Sequence, residues 1–124
     1  MKLITLFLLV GMLAVSGCSK QNKNEPYSPE LVKKAESGDM DAQIKLGRCY
    51  YQGLGATKDY KEAVKWFTKA AEQGHRDAKF NLGQCYYRGE GVTKNKKEAV
   101  KWYTKAAKQG DERAKKALEM LKSK

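Results

Sequence analysis

Histidine occurs once, proline twice and cysteine three times in this chain of 124 residues. Each scarcity removes a class of protein. Three cysteines are too few for a disulfide scaffold. One histidine, His75, with no cysteine or acidic cluster beside it, argues against a zinc site and against a Ser-His-Asp triad. No serine is followed three residues later by lysine, so the nucleophile motif of serine β-lactamases is missing. Phosphate loops are absent too: GLGATK (53–58) and GEGVTK (89–94) lack the Gly-Lys-Ser/Thr ending and follow a helical pattern, not a strand. Acidic residues are outnumbered, 14 against 25 basic ones, for a formal charge of +11. Apolar residues still make up 41%, enough for a core, so disorder throughout is excluded. The length suits one small domain.

What the chain does contain is a stretch of 36 residues that occurs twice, at 39–74 and 75–110. The copies match at Ala42/Ala78, Leu46/Leu82, Gly47/Gly83, Cys49/Cys85, Tyr50/Tyr86, Gly53/Gly89, Gly55/Gly91, Ala63/Ala99, Trp66/Trp102 and Ala70/Ala106. A fixed period of this length marks an array of supersecondary units that bury their apolar faces by stacking. Ser28-Pro29-Glu30 is a helix start, with an N-cap serine and proline at the first helical position, and Gly38 is a stop. Asp39 can cap a second helix with Ala42, Leu46, Cys49 and Tyr50 on one face, covering roughly a third of the circumference. Gly53 and Gly55 end it. Asp59 can cap a third helix, whose apolar arc runs from Tyr60 to Ala71 and stops at Gly74. The pattern recurs near 75–88 and 95–109, and a last helix runs from about Asp111 to Lys122.

Gly47 and Gly83 fall inside helices, where glycine costs about 1 kcal/mol relative to alanine. Their recurrence predicts close approach with no room for a Cβ. Trp66, Phe67, Trp102 and Tyr103 share a face with small alanines and are expected in the core. Cys49 and Cys85 are expected as two buried free thiols with no disulfide, because packed helices lie about 8–10 Å apart and a bridge needs Cα atoms within about 7 Å. Residues 29–38 align with the second helix of a repeat, with Glu30 at the tryptophan position. The last helix aligns with a first helix, with Lys116, Glu119 and Ser123 at apolar or glycine positions, which predicts a polar terminal cap.

The leader MKLITLFLLVGMLAVSGC has Lys2 before an apolar run, Leu3 to Val15. That run is too short to span a bilayer, which needs about 20 residues, and has the anatomy of a secretory signal. Val15-Ser16-Gly17-Cys18 resembles the lipobox of bacterial lipoproteins, in which the chain is cut before the cysteine and the cysteine is acylated. By that resemblance 1–17 is a signal peptide, 18–28 a lipidated cysteine and flexible tether, and 29–122 the repeat domain. Ser19, where an aspartate would retain the protein at the inner membrane, implies the outer membrane of a Gram-negative cell. Nucleic acid is a poor partner for an exported protein, although the charge would permit it.

LGxCYYxGxG, KEAVKWxTKAAxQG and the period of 36 resemble the Sel-1-like repeat, a relative of the tetratricopeptide repeat. The resemblance covers 29–122. It implies an all-α fold, an α/α solenoid of antiparallel helix pairs with two full repeats and a half-repeat at each end. It also implies a scaffold that binds a protein or peptide and needs no cofactor; a monomer that is not an enzyme is expected. Some bacterial members are described as β-lactamase-like, and that remains an alternative.

In related solenoids the first helix of each repeat lines the concave side. There Asp41, Lys45, Arg48 and Gln52 fall within roughly 60° of one another, as do Asp77, Asn81, Gln84 and Arg88. This stripe is the expected contact surface for a partner. The second helices carry Lys61, Lys65, Lys69, Lys97, Lys101 and Lys105 along a polar face, either plainly solvated or drawn to anionic envelope polymers. Replacing Cys18 with alanine should abolish incorporation of labelled palmitate and release the protein from the membrane fraction; palmitate retained in Cys18→Ala would contradict the lipobox reading.

Overall fold

The computed structural model describes residues 26–123, and the leader with Cys18 lies outside them. Six helices follow in order: α1 (Pro29–Glu36), α2 (Met40–Gln52), α3 (Tyr60–Glu72), α4 (Arg76–Arg88), α5 (Lys96–Lys108) and α6 (Glu112–Lys122). No strand occurs among the described residues, and no helix there is long and apolar enough to cross a membrane. The hairpins α2–α3 and α4–α5 are the two repeats, and α1 and α6 are the flanking halves. The chain is an α/α solenoid.

Local chemistry places each helix end. Ser28 accepts a hydrogen bond from Leu31 N at 3.1 Å, and Asp39 from Ala42 N at 3.0 Å. Asp59 accepts from Lys61 N and Glu62 N, and Asn95 from Glu98 N. His75 fills the same role, its Nδ1 accepting from Ala78 N at 3.3 Å. Each cap satisfies amides that the first turn leaves without partners.

The core forms in three linked clusters, one per junction. Leu31, Ala35, Ala42, Leu46, Cys49 and Trp66 fill the first. Ile44, Val64, Phe67, Leu82 and Cys85, with four alanines, fill the second. Phe80, Ala99, Tyr103, Ala106 and Ala114 fill the third. Cys49 and Cys85 are both buried, with no disulfide between them. Trp102 differs from expectation: Trp66 is 6% exposed, whereas Trp102 is only half-buried. The equivalent corner explains it. Gln43 is neutral and buries there, donating to Ala35 O at 3.1 Å. Its counterpart Lys79 carries a charge that is costly to bury, donates to Gln109 Oε1 at 2.6 Å and lines a hollow beside Trp102.

Two close approaches set the spacing. A Cβ on Gly47 would lie 2.6 Å from the Phe67 ring, and one on Gly83 2.7 Å from the Tyr103 ring. The missing side chains thus make room for an aromatic ring of the same repeat. Gly91, at φ 75°, lies so close to the start of α3 that a Cβ would meet the Tyr60 carbonyl. At the other end, Tyr27 N donates to Leu54 O at 3.1 Å, and the Tyr27 ring meets Tyr50 edge-on at 6.0 Å. The last residues of the expected tether are therefore held against the fold. The polar cap on α6 holds at Lys116, Glu119 and Ser123, but Met120 is 65% exposed and Leu118 and Leu121 are half-buried.

Gly47→Ala should lower stability by about 1–2 kcal/mol in urea unfolding, because overpacking outweighs the helix propensity gained. Combined with Phe67→Leu, it should cost less than the two changes added together.

Candidate partner-binding groove

The first helices α2, α4 and α6 stand side by side and are joined by charge. The N-cap positions on the period are Asp39, His75 and Asp111, and two residues further on stand Asp41, Asp77 and Arg113. Asp41 Oδ1 lies 3.2 Å from His75 Nε2. Asp77 receives Arg113 Nη2 at 2.7 Å, with Arg48 at 3.7 Å from its other oxygen and Arg76 Nε 3.7 Å from the first. The sign change at Arg113 turns a column of like charges into an ion pair between repeats.

Asp111 is the anchor of this cluster. It is 3% exposed and caps α6 through Arg113 N and Ala114 N at 3.0 and 3.3 Å. Its two oxygens also take Arg113 Nε at 3.0 Å and Nη2 at 2.6 Å, a bidentate pair. Burial pushes the carboxyl up, but the Arg113 guanidinium and the backbone amides outweigh it and hold the group below the ordinary 3.8. The Arg113 guanidinium also lies 4.5 Å over the Phe80 ring. Further along, Tyr51 donates to Glu90 Oε1 at 2.7 Å and accepts from Arg88 Nη1 at 3.2 Å. Burial, reinforced by the Glu90 bond, pushes the Tyr51 phenol up to about 12.

Three adjoining hollows, linked by the residues they share, form a groove here. The first, about 530 Å³, is walled by Arg48, Gln52, Arg76, Asp77, Asp111 and Arg113. The second, about 110 Å³, shares Arg48 and Gln52 with it and adds Tyr51, Phe67, Asn81 and Gln84. The third, about 180 Å³, shares Gln84 and adds Tyr87, Arg88, Tyr103, Ala117, Met120 and Leu121. Six residues of the expected stripe, Arg48, Gln52, Asp77, Asn81, Gln84 and Arg88, are thus brought together. Asp41 and Lys45 are not: they line a separate hollow of about 100 Å³ beside α1, with Glu30, Leu31 and Lys34.

Arg76, Asp111, Arg113, Tyr51 and Met120 also line the groove, outside the expected stripe. The charge inversion at Arg113, on the period of Asp41 and Asp77, was the readable sign. On the opposite helices Glu62 lies 3.8 Å from Lys65 and Glu98 4.0 Å from Lys101, the weak pairs expected of a solvated face. Among the described residues no three His, Cys, Asp or Glu side chains are grouped to hold a metal. Burial, with Glu90 adding to it, pushes the Cys85 thiol up to about 12, far from a reactive thiolate.

Helix pairs on a fixed period, with a groove along their first helices, define a repeat scaffold. The model of the Sel1 repeat matches residues 41–75 and 76–111, and the chain belongs to that family. Sel1 repeats build protein-interaction scaffolds and are generally not catalytic. The secretory immunoglobulin A-binding protein EsiB of Escherichia coli O6:H1 is 40% identical over 64 residues, 52% of this chain. The chain spans only 11% of EsiB, and 6% of a second relative, the putative Sel1-like repeat-containing protein L18 of Acanthamoeba polyphaga mimivirus, at 46% identity over 28% of this chain. A Sel1 repeat protein from Oxalobacter formigenes superposes with a TM-score of 0.72 at 41% identity, covering 73% of this chain and 26% of its own. A protective antigen of uropathogenic Escherichia coli, with an SLR fold, gives 0.73 at 42%, covering 82% and 21%.

Asp111→Asn should lower stability on the order of 1 kcal/mol at pH 7, through loss of a charge-assisted bond. The folded carboxyl is depressed, so its contribution is complete above the ordinary 3.8 and is lost as pH falls through the lower folded value. Urea midpoints of wild type and variant should therefore converge only below about pH 4.

Proposed function

We propose that this protein is an envelope-anchored scaffold that binds a protein or peptide partner in the groove along α2, α4 and α6. The observation that carries this reading is the groove itself, in which three adjoining hollows share wall residues and polar side chains remain available. The carboxamides of Gln52, Asn81 and Gln84 make no hydrogen bond within the protein among the described residues. A solenoid's surface of this kind is a usual place for a partner. EsiB, which shares the repeat, is a binder of a secreted antibody by its name, and supports protein recognition as the use of this fold. The lipobox-like Val15-Ser16-Gly17-Cys18 and the following Ser19 support anchoring by lipid at an outer membrane.

A photo-reactive amino acid placed at Gln84 should give a discrete cross-linked adduct in the protein's native cells. The same group at Lys97, on the opposite face, should give none. Adducts from Lys97 alone would place the contact on the lysine face and overturn the groove.

A further inference from the structure

Among the described residues, two guanidiniums in the first hollow have ion-pair partners but donate no hydrogen bond. Arg113 donates its hydrogen bonds to Asp111 and Asp77. Arg48 and Arg76 do not: each stands 3.7 Å from a different oxygen of Asp77, beyond hydrogen-bond distance. Arg76 is also 4.0 Å from Asp111, equally too far. Neither donates a hydrogen bond among the described residues. Each guanidinium carries five donors in a planar fork that suits a carboxylate. Their side chains are 25% and 51% exposed, so an incoming group can reach them. Three arginines face two aspartates here, and Glu112 at the rim is held by Lys115 at 3.0 Å, which leaves a positive surplus.

The far end of the same groove is apolar. Met120 is 65% exposed and, with Ala117, Leu121 and the Tyr87 and Tyr103 rings, walls the third hollow. Between the two ends stand the carboxamides of Gln52, Asn81 and Gln84. A carboxamide offers the same donor and acceptor as a peptide bond. Along α4, Asp77 and Gln84 are about 10 Å apart and Asp77 and Arg88 about 16 Å, at about 1.5 Å per residue. An extended peptide covers those spans in about three to five residues, at about 3.3 Å each.

We infer that the groove takes an extended peptide with a carboxylate side chain between Arg48 and Arg76 and a bulky apolar side chain, three to five residues away, in the Met120 hollow. This rests on the groove reading and adds the chemistry of the partner. The carboxylate accepts from the two forks, the carboxamides take the peptide backbone, and the apolar side chain covers Met120.

The test is selection of a displayed random dodecapeptide library on the immobilised full chain, followed by fluorescence anisotropy with synthetic capped peptides. Enriched peptides should pair Asp or Glu with a bulky apolar residue at a separation of three to five. Changing the peptide's acid to its amide should weaken binding at least roughly tenfold, as should Arg48→Gln with Arg76→Gln. Met120→Glu should remove the apolar preference and keep the acidic one. The peptide-side change needs no protein variant, so its result stands whether or not the arginine variant folds. Enriched peptides indifferent to the acid would overturn the inference while leaving the groove in place. No enriched peptide, with cross-linking at Gln84 still positive, would do the same and point to a folded partner surface. Failure of both would remove the groove reading as well.

Discussion

An aromatic ring seated on a glycine governs this fold. In each repeat the ring from the second helix, Phe67 or Tyr103, occupies the space where the first helix has no side chain. The ring is 1% exposed at Phe67 and 4% at Tyr103, so almost its whole surface leaves water. That contact fixes the distance between the helices of a hairpin. The alanines around it, Ala63, Ala70, Ala99 and Ala106, are fully buried because that distance leaves room for nothing larger. With the hairpin geometry set, the stacking of one hairpin on the next follows, and so does the alignment of α2, α4 and α6 that makes a groove.

The groove inherits its character from where the repeats cease to be identical. Ala42 and Ala78, or Leu46 and Leu82, do the same work in both copies and form the core. Position 41 and its successors read Asp, Asp, Arg, and this change joins α4 to α6 through a short ion pair. Position 43 and its successor read Gln then Lys, and this change falls at the hollow beside Trp102. Identity on the period builds the rod, and departures from it build the surface chemistry. The family is generally non-catalytic, and Asp111 and Asp77 in the groove serve as cap and ion-pair partner.

Most of the fold could be read from residue order because the signals are local. Ser28, Asp39 and Asp59 cap helices within three residues of themselves, and the apolar spacing decides which side of each helix turns inward. The groove was legible only in part because its contacts cross from one repeat to the next. Tyr51 meets Glu90 and Arg113 meets Asp77, and a reading helix by helix does not connect residues so far apart. Asp41 and Lys45 share a helix face with Arg48 and Gln52, yet the first turns of α2 lie beside the short α1 and open elsewhere. Met120 was hidden by the charges around it, since Lys116 and Glu119 read as a polar cap.

The attachment of Tyr27 to the α2–α3 loop has a mechanical consequence. Among the described residues, force arriving along the chain from its N-terminal side meets Tyr27 before α1. There it passes into α2 and the α2–α3 loop through contacts that include the backbone bond to Leu54 and the ring of Tyr50. The helix α1, only eight residues long, is bypassed while that attachment holds and bears load only once it yields. The attachment thus routes tension around the short leading helix and into the first hairpin.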